Sequence, residues 1–69
     1  MKVIIVNQGM GECLLGEYHQ PVTTPIPQKD SEIEFKGTTY RVVKPVYVVK
    51  AGADKFLRYT EVTLFVNNL

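Results

Sequence analysis

Ser31-Glu32-Ile33-Glu34-Phe35-Lys36-Gly37-Thr38-Thr39-Tyr40-Arg41-Val42-Val43 is the stretch on which the fold depends. Its first five residues alternate polar and apolar with a period of two, the pattern of a β-strand with one wet face. Lys36-Gly37-Thr38-Thr39 follows as a tight turn, because glycine takes positive φ without steric cost. The β-branched run Tyr40-Arg41-Val42-Val43 leads out of it as a second strand. A hairpin at the centre of a short chain predicts a β protein.

On the C-terminal side, Pro45 interrupts before Val46-Tyr47-Val48-Val49. A proline inside a β run implies a bend, a bulge or an edge. Ala51-Gly52-Ala53-Asp54-Lys55 reads as the next turn. A last strand then runs from Phe56 or Arg58 to Val66, and a single helical turn near Asp54–Tyr59, capped by Asp54, is the one helical candidate.

On the N-terminal side, residues 2–8 form a β-branched strand bounded by Gly9 and Gly11. Residues 12–19 read as a second strand with a bulge at Gly16. Pro21, Pro25 and Pro27 make the stretch 20–28 an ordered loop or edge segment, since such a run supports neither a helix interior nor a central strand. No window shows the helical period. The expectation is an all-β chain with little or no helix, folded over residues 1–69 as a single domain. Its architecture is a small five-stranded SH3-like barrel or a strongly bent antiparallel meander.

Length and charge narrow the function. At 69 residues a chain buries only about 60% of its unfolded surface, which excludes large nucleotide-binding sheets and β/α barrels. One cysteine, Cys13, is no disulfide framework, and the apolar start Met1–Val6 stops at Asn7, too short for a signal or a membrane span. These features point to the cytoplasm.

The segment Pro27-Gln28-Lys29-Asp30-Ser31-Glu32-Ile33-Glu34-Phe35-Lys36-Gly37-Thr38-Thr39-Tyr40-Arg41-Val42, followed by Val46-Tyr47, resembles a pattern common in short bacterial and bacteriophage proteins with SH3-like barrels. The resemblance covers residues 25–49, about a third of the chain, and consists of hairpin chemistry, which specifies architecture far more than function. Asp30 departs from the pattern, which prefers glycine there, although aspartate tolerates the left-handed conformation better than most residues. The resemblance implies a small accessory protein of phage or prophage type and not a metabolic enzyme.

No constellation in the sequence carries catalysis. On a strand, Cys13 and His19 lie about 20 Å apart, and Cys13 reads as a small buried hydrophobe. A lone thiol and a lone histidine do not make a zinc site. Glu32 and Glu34 read as the solvated face of their strand, and Gly9-Met10-Gly11 as a turn, since no phosphate-loop motif accompanies it. No catalytic residue, metal or cofactor is expected.

The feature that rises above background is charge distribution. The formal net charge of +1 divides into two opposed halves. Residues 1–35 carry Lys2 and Lys29 against Glu12, Glu17, Asp30, Glu32 and Glu34, a balance of −3. Residues 36–69 carry Lys36, Arg41, Lys44, Lys50, Lys55 and Arg58 against Asp54 and Glu61, a balance of +4. Tyr40, Tyr47 and Tyr59 are interleaved with these cations. Arginine clamps phosphate and tyrosine stacks on bases, so Arg41, Arg58 and Lys44 are the expected phosphate contacts and Tyr40, Tyr47 or Tyr59 the stacking rings.

The leading expectation is a non-enzymatic module that sequesters a small anionic nucleotide-class ligand. A barrel this small has little enclosed space, which entails a homo-oligomer with the site between copies. The alternatives are a protein–protein inhibitor or adaptor acting on a host protein, or a barrel that binds single-stranded nucleic acid.

Overall fold

The computed structural model describes residues 1–51 and 57–69, with side chains placed at all of these except residues 10, 50, 51 and 57–60. The expected turn at 51–55 and the helical turn near Asp54–Tyr59 fall mainly on Gly52–Phe56, outside the described residues. Leu57–Tyr59 themselves are strand.

The chain is all-β, with five strands among the described residues: β1 Lys2–Asn7, β2 Cys13–His19, β3 Glu32–Phe35, β4 Thr38–Ala51 and β5 Leu57–Asn68. A 3₁₀ turn, Gln8–Met10, follows β1. The strands form one mixed sheet in the order β2-β1-β5-β4-β3, curled into a half-barrel. Of the two expected architectures, the small barrel describes this sheet. An antiparallel meander does not, because β1 and β5 pair in parallel at the centre, with Val3 opposite Val62 and Ile5 opposite Leu64. The proline-rich segment makes that order possible by carrying the chain from β2 at one edge to β3 at the other.

Local turn chemistry follows the sequence closely. Lys36 and Gly37 both have positive φ (51° and 83°), a two-residue turn closing Phe35 onto Thr38. Asp30 takes φ 71°, a left-handed conformation that aspartate tolerates better than most residues. Its N–H donates to the Val42 carbonyl at 2.8 Å, while the Val42 N–H donates to Ser31 at 2.9 Å, so the loop joins the β3–β4 ladder.

Alternation sorts the strands into two faces. Val3 and Ile5 of β1, Tyr40 and Val42 of β4, and Val62, Leu64 and Val66 of β5 form the buried core on the concave face. Leu15, Tyr18, Ile26, Ile33 and Phe35 pack around it. Burial pushes the Tyr18 phenol above its ordinary value, because the charged phenolate is the form that loses solvation. Cys13 was expected to be buried and is instead exposed, because it begins an edge strand where no layer covers it.

Bulges adjust this alternation twice in decisive places. In β2 the register shifts between Ile5 and Val6 of its partner, Gly16 facing Ile5 and Leu14 facing Val6. The extra residue, Leu15, packs against the core while Leu14 is left 65% exposed. Gly16 has a second role in closing the barrel. A Cβ at Gly16 would lie 2.9 Å from Cζ of Phe35, on the opposite edge strand. The Phe35 ring therefore bridges the two sheet edges and needs the missing side chain. Gly16→Ala is expected to cost about 1–3 kcal/mol through overpacking, and Phe35→Leu in the same chain to recover part of it. Equal melting temperatures for wild type and Gly16→Ala would show that the edges do not close this way.

Pro45 does not interrupt its strand, since β4 runs through it from Thr38 to Ala51. The irregularity falls two residues earlier, at Val43, where the register shifts between Val42 and Lys44. β3 pairs only with Thr38–Arg41. At Pro45 the outer edge of β4 therefore has no neighbouring strand among the described residues, and the missing N–H removes no ladder bond on that side.

Beyond the part of β5 paired with β1, residues 57–60 continue as a two-stranded arm with the end of β4, Arg58 opposite Lys50. The molecule measures 42 × 23 × 19 Å. Its radius of gyration of 12.8 Å exceeds the roughly 11 Å of a compact domain of this length. No helix among the described residues is long and apolar enough to cross a membrane.

Candidate functional site

The bulge at Val43 decides which members of the basic-aromatic band share a face. In a regular strand, residues 41 and 44 point to opposite sides. Here Arg41 faces Asn67, Val42 faces Val66 and Lys44 faces Phe65, with Val43 as the extra residue. Arg41 and Lys44 consequently stand two register steps apart on the convex face, about 7 Å along the strand. Lys44 Nζ sits 5.4 Å from the centroid of the Phe65 ring, a cation–π contact that holds the ammonium in place.

Neither Tyr40 nor Tyr47 shares that face: alternation sets Tyr40 opposite to Arg41, and the bulge carries Tyr47 to the other side. Tyr40 is 8% exposed and belongs to the core. Tyr47 lies opposite the buried Val62, on the concave side, where its hydroxyl accepts a hydrogen bond from Gln28 Nε2 at 3.4 Å. Neither ring can stack on a ligand held by Arg41 and Lys44. The side chains of Arg58 and Tyr59 lie outside the described residues. Two of the six expected site residues, Arg41 and Lys44, are thus brought together, and Phe65 and Asn67 join them from β5.

Arg41 carries one weak restraint, an ion pair with Glu32 at 3.8 Å between two half-exposed side chains. Exposed pairs of this kind contribute about 0–1 kcal/mol. The guanidinium is therefore free to exchange its carboxylate for a phosphate, which it can clamp with two parallel hydrogen bonds. Glu34 is exposed like Glu32, as a solvated strand face requires.

A groove of about 510 Å³ adjoins this face, lined by Asn7, Gly9, Asn67 and Asn68. It lies beyond the carboxyl ends of the parallel strands β1 and β5, where the chain leaves β1 toward β2 on one side and β5 ends beside β4 on the other. Asn7 continues the inward alternation of Val3 and Ile5 and is 1% exposed. Its Oδ1 accepts the Gly9 N–H at 3.0 Å, and its Nδ2 donates to Asn68 Oδ1. Asn67 belongs to both regions, facing Arg41 across the ladder and lining the groove. Sequence reasoning passed over these asparagines. The signal available was that an amide ends β1 and two more end β5, where the apolar alternation stops.

Cys13 and His19 stand at opposite ends of the β1–β2 ladder, Cys13 opposite Asn7 and His19 opposite Lys2. Among the described residues no group of three or more His, Cys, Asp or Glu side chains is placed to hold a metal.

Comparison with protein-family models, with curated proteins and with solved structures gives no match.

Proposed function

We propose that this chain is a non-enzymatic cytoplasmic binding module of phage accessory type, which sequesters a small anionic nucleotide-class ligand as a homo-oligomer. The observation that carries the reading is the Val43 bulge, which sets Arg41 and Lys44 on one exposed face beside an amide-lined groove. Two cations at that spacing suit one phosphate group or two linked ones, and the uncharged groove suits the rest of such a ligand. One protomer offers only an open surface, so enclosure comes from a second copy. Exposed Val46 and Val49 on the long β4, together with the elongated shape, fit a chain that covers apolar surface by self-association.

The test joins a solution mass with a thermal-shift screen of mono- and cyclic nucleotides. An oligomer whose melting temperature rises with a nucleotide is the expected result. A monomer that no nucleotide stabilises would overturn the reading. Glu32→Gln, which releases Arg41 from its ion pair, is expected to tighten binding by a few-fold, in proportion to the roughly 0–1 kcal/mol of such a pair.

A second reading, an inhibitor or adaptor pairing with a host protein, is favoured by one observation. β2 is an edge strand with Leu14 exposed on it, a place where a partner strand can add. A tagged pull-down that returns a stoichiometric host protein, with no nucleotide effect on melting, would select it.

A further inference from the structure

The hydrogen bonds around Asn7 run in one direction, and that direction fixes which end of the Asn68 amide is left for a ligand. The Gly9 N–H can only donate, so the Asn7 atom it meets must be the carbonyl oxygen Oδ1. The other end of the Asn7 amide is then the NH₂ group, which donates to Asn68, so the atom Asn68 turns toward it must be Oδ1. Asn68 is left with its own NH₂ group directed away from that bond. A buried amide, 1% exposed, thereby polarises an exposed one as a hydrogen-bond donor, and successive bonds in such a chain strengthen each other.

We infer that the groove formed by Asn7, Gly9, Asn67 and Asn68 is a base-reading subsite that selects bases with an oxo group over bases with an amino group at the same ring position. This rests on the proposed nucleotide ligand and names which nucleotides the site takes. An oxo group accepts from Asn68 Nδ2. An exocyclic amino group in its place sets donor against donor and leaves both unpaired. The phosphate lies on the adjoining side, because Asn67 of the groove faces Arg41 directly across the β4–β5 ladder. Gly9 keeps the groove open, since a Cβ there would approach Asn67 Oδ1 to 2.9 Å.

The experiment is calorimetric titration of the full chain with two pairs of monophosphates that differ at this group and in the proton on the adjoining ring nitrogen, inosine against adenosine and uridine against cytidine. Because charge is equal within a pair, the ratio of affinities isolates the base contact. The wild type is expected to prefer the oxo member of each pair by about tenfold, within the 1–3 kcal/mol of a well-formed base contact. Asn68→Asp keeps an acceptor for Asn7 Nδ2 and removes the donors, so its ratio falls to one or below. Gly9→Ala, which leaves the Asn7–Asn68 bond in place, is expected to weaken all four ligands while melting like the wild type. A wild-type ratio near one, or a preference that survives in Asn68→Asp, overturns the inference while leaving the nucleotide reading intact. Binding of none of the four overturns the nucleotide reading and the inference with it.

Discussion

Leu64→Ala is expected to cost about 2–5 kcal/mol, the range for truncating a fully buried leucine. Leu64 is fully buried at the middle of β5 and lies between Ile5 of β1 and Pro45 of β4. β5 is the strand on which both halves of the sheet depend, paired in parallel on one side and antiparallel on the other. A chain of 69 residues has a total stability of only about 3–10 kcal/mol. Seven hydrophobic residues make up the buried cluster among the described residues, so neighbouring side chains have little freedom to collapse into the cavity. The variant should therefore lose most of its folded population at 37 °C, seen as a fall of the urea midpoint and of the melting temperature, at about 4–8 °C per kcal/mol. Val22→Ala is the control, because Val22 is exposed in the loop between β2 and β3. It should shift stability by no more than about 0.5 kcal/mol. Similar melting for the two variants would place the core elsewhere.

The second large effect is on ligand binding. Arg41→Ala with Lys44→Ala removes both cations of the convex face, and hydrogen bonds to charged groups contribute about 1.5–3 kcal/mol each. Loss of the two together should weaken nucleotide binding about 100-fold or more, to the point where no thermal shift remains. Both side chains are exposed, so the melting temperature of the free protein should barely move. The companion variant is Tyr47→Phe, which alters a ring on the opposite side of β4 and should leave binding unchanged. The reverse pattern, binding lost with Tyr47→Phe and kept without Arg41 and Lys44, would move the site to the concave side.

These two expectations separate what is local in this chain from what is not. The Lys36–Gly37 turn, the left-handed Asp30 and the bulge at Gly16 are each dictated by a few adjacent residues, whose φ preferences and alternation can be read directly. The split of charge between the two halves is equally plain. The site was only partly legible. Arg41 and Lys44 were candidates because of their chemistry, but their face depends on the bulge at Val43, which has no glycine to announce it. One extra residue exchanges the sides of everything beyond it. Tyr40 precedes the bulge, and plain alternation with Arg41 sets it on the other side, in the core. Asn7 and Asn68 are 61 residues apart, and no local pattern links the end of the first strand to the end of the last.

The sequence by itself thus determined an all-β fold, the turns at Asp30 and Lys36–Gly37, and the presence of a cationic segment, because these follow from torsional preference, period-two alternation and composition. Tertiary structure decided the parallel pairing of β1 with β5, the division of cations and tyrosines between two faces, and the amide groove. Those depend on register between distant strands, and register is set by which apolar face the whole sheet can bury at once.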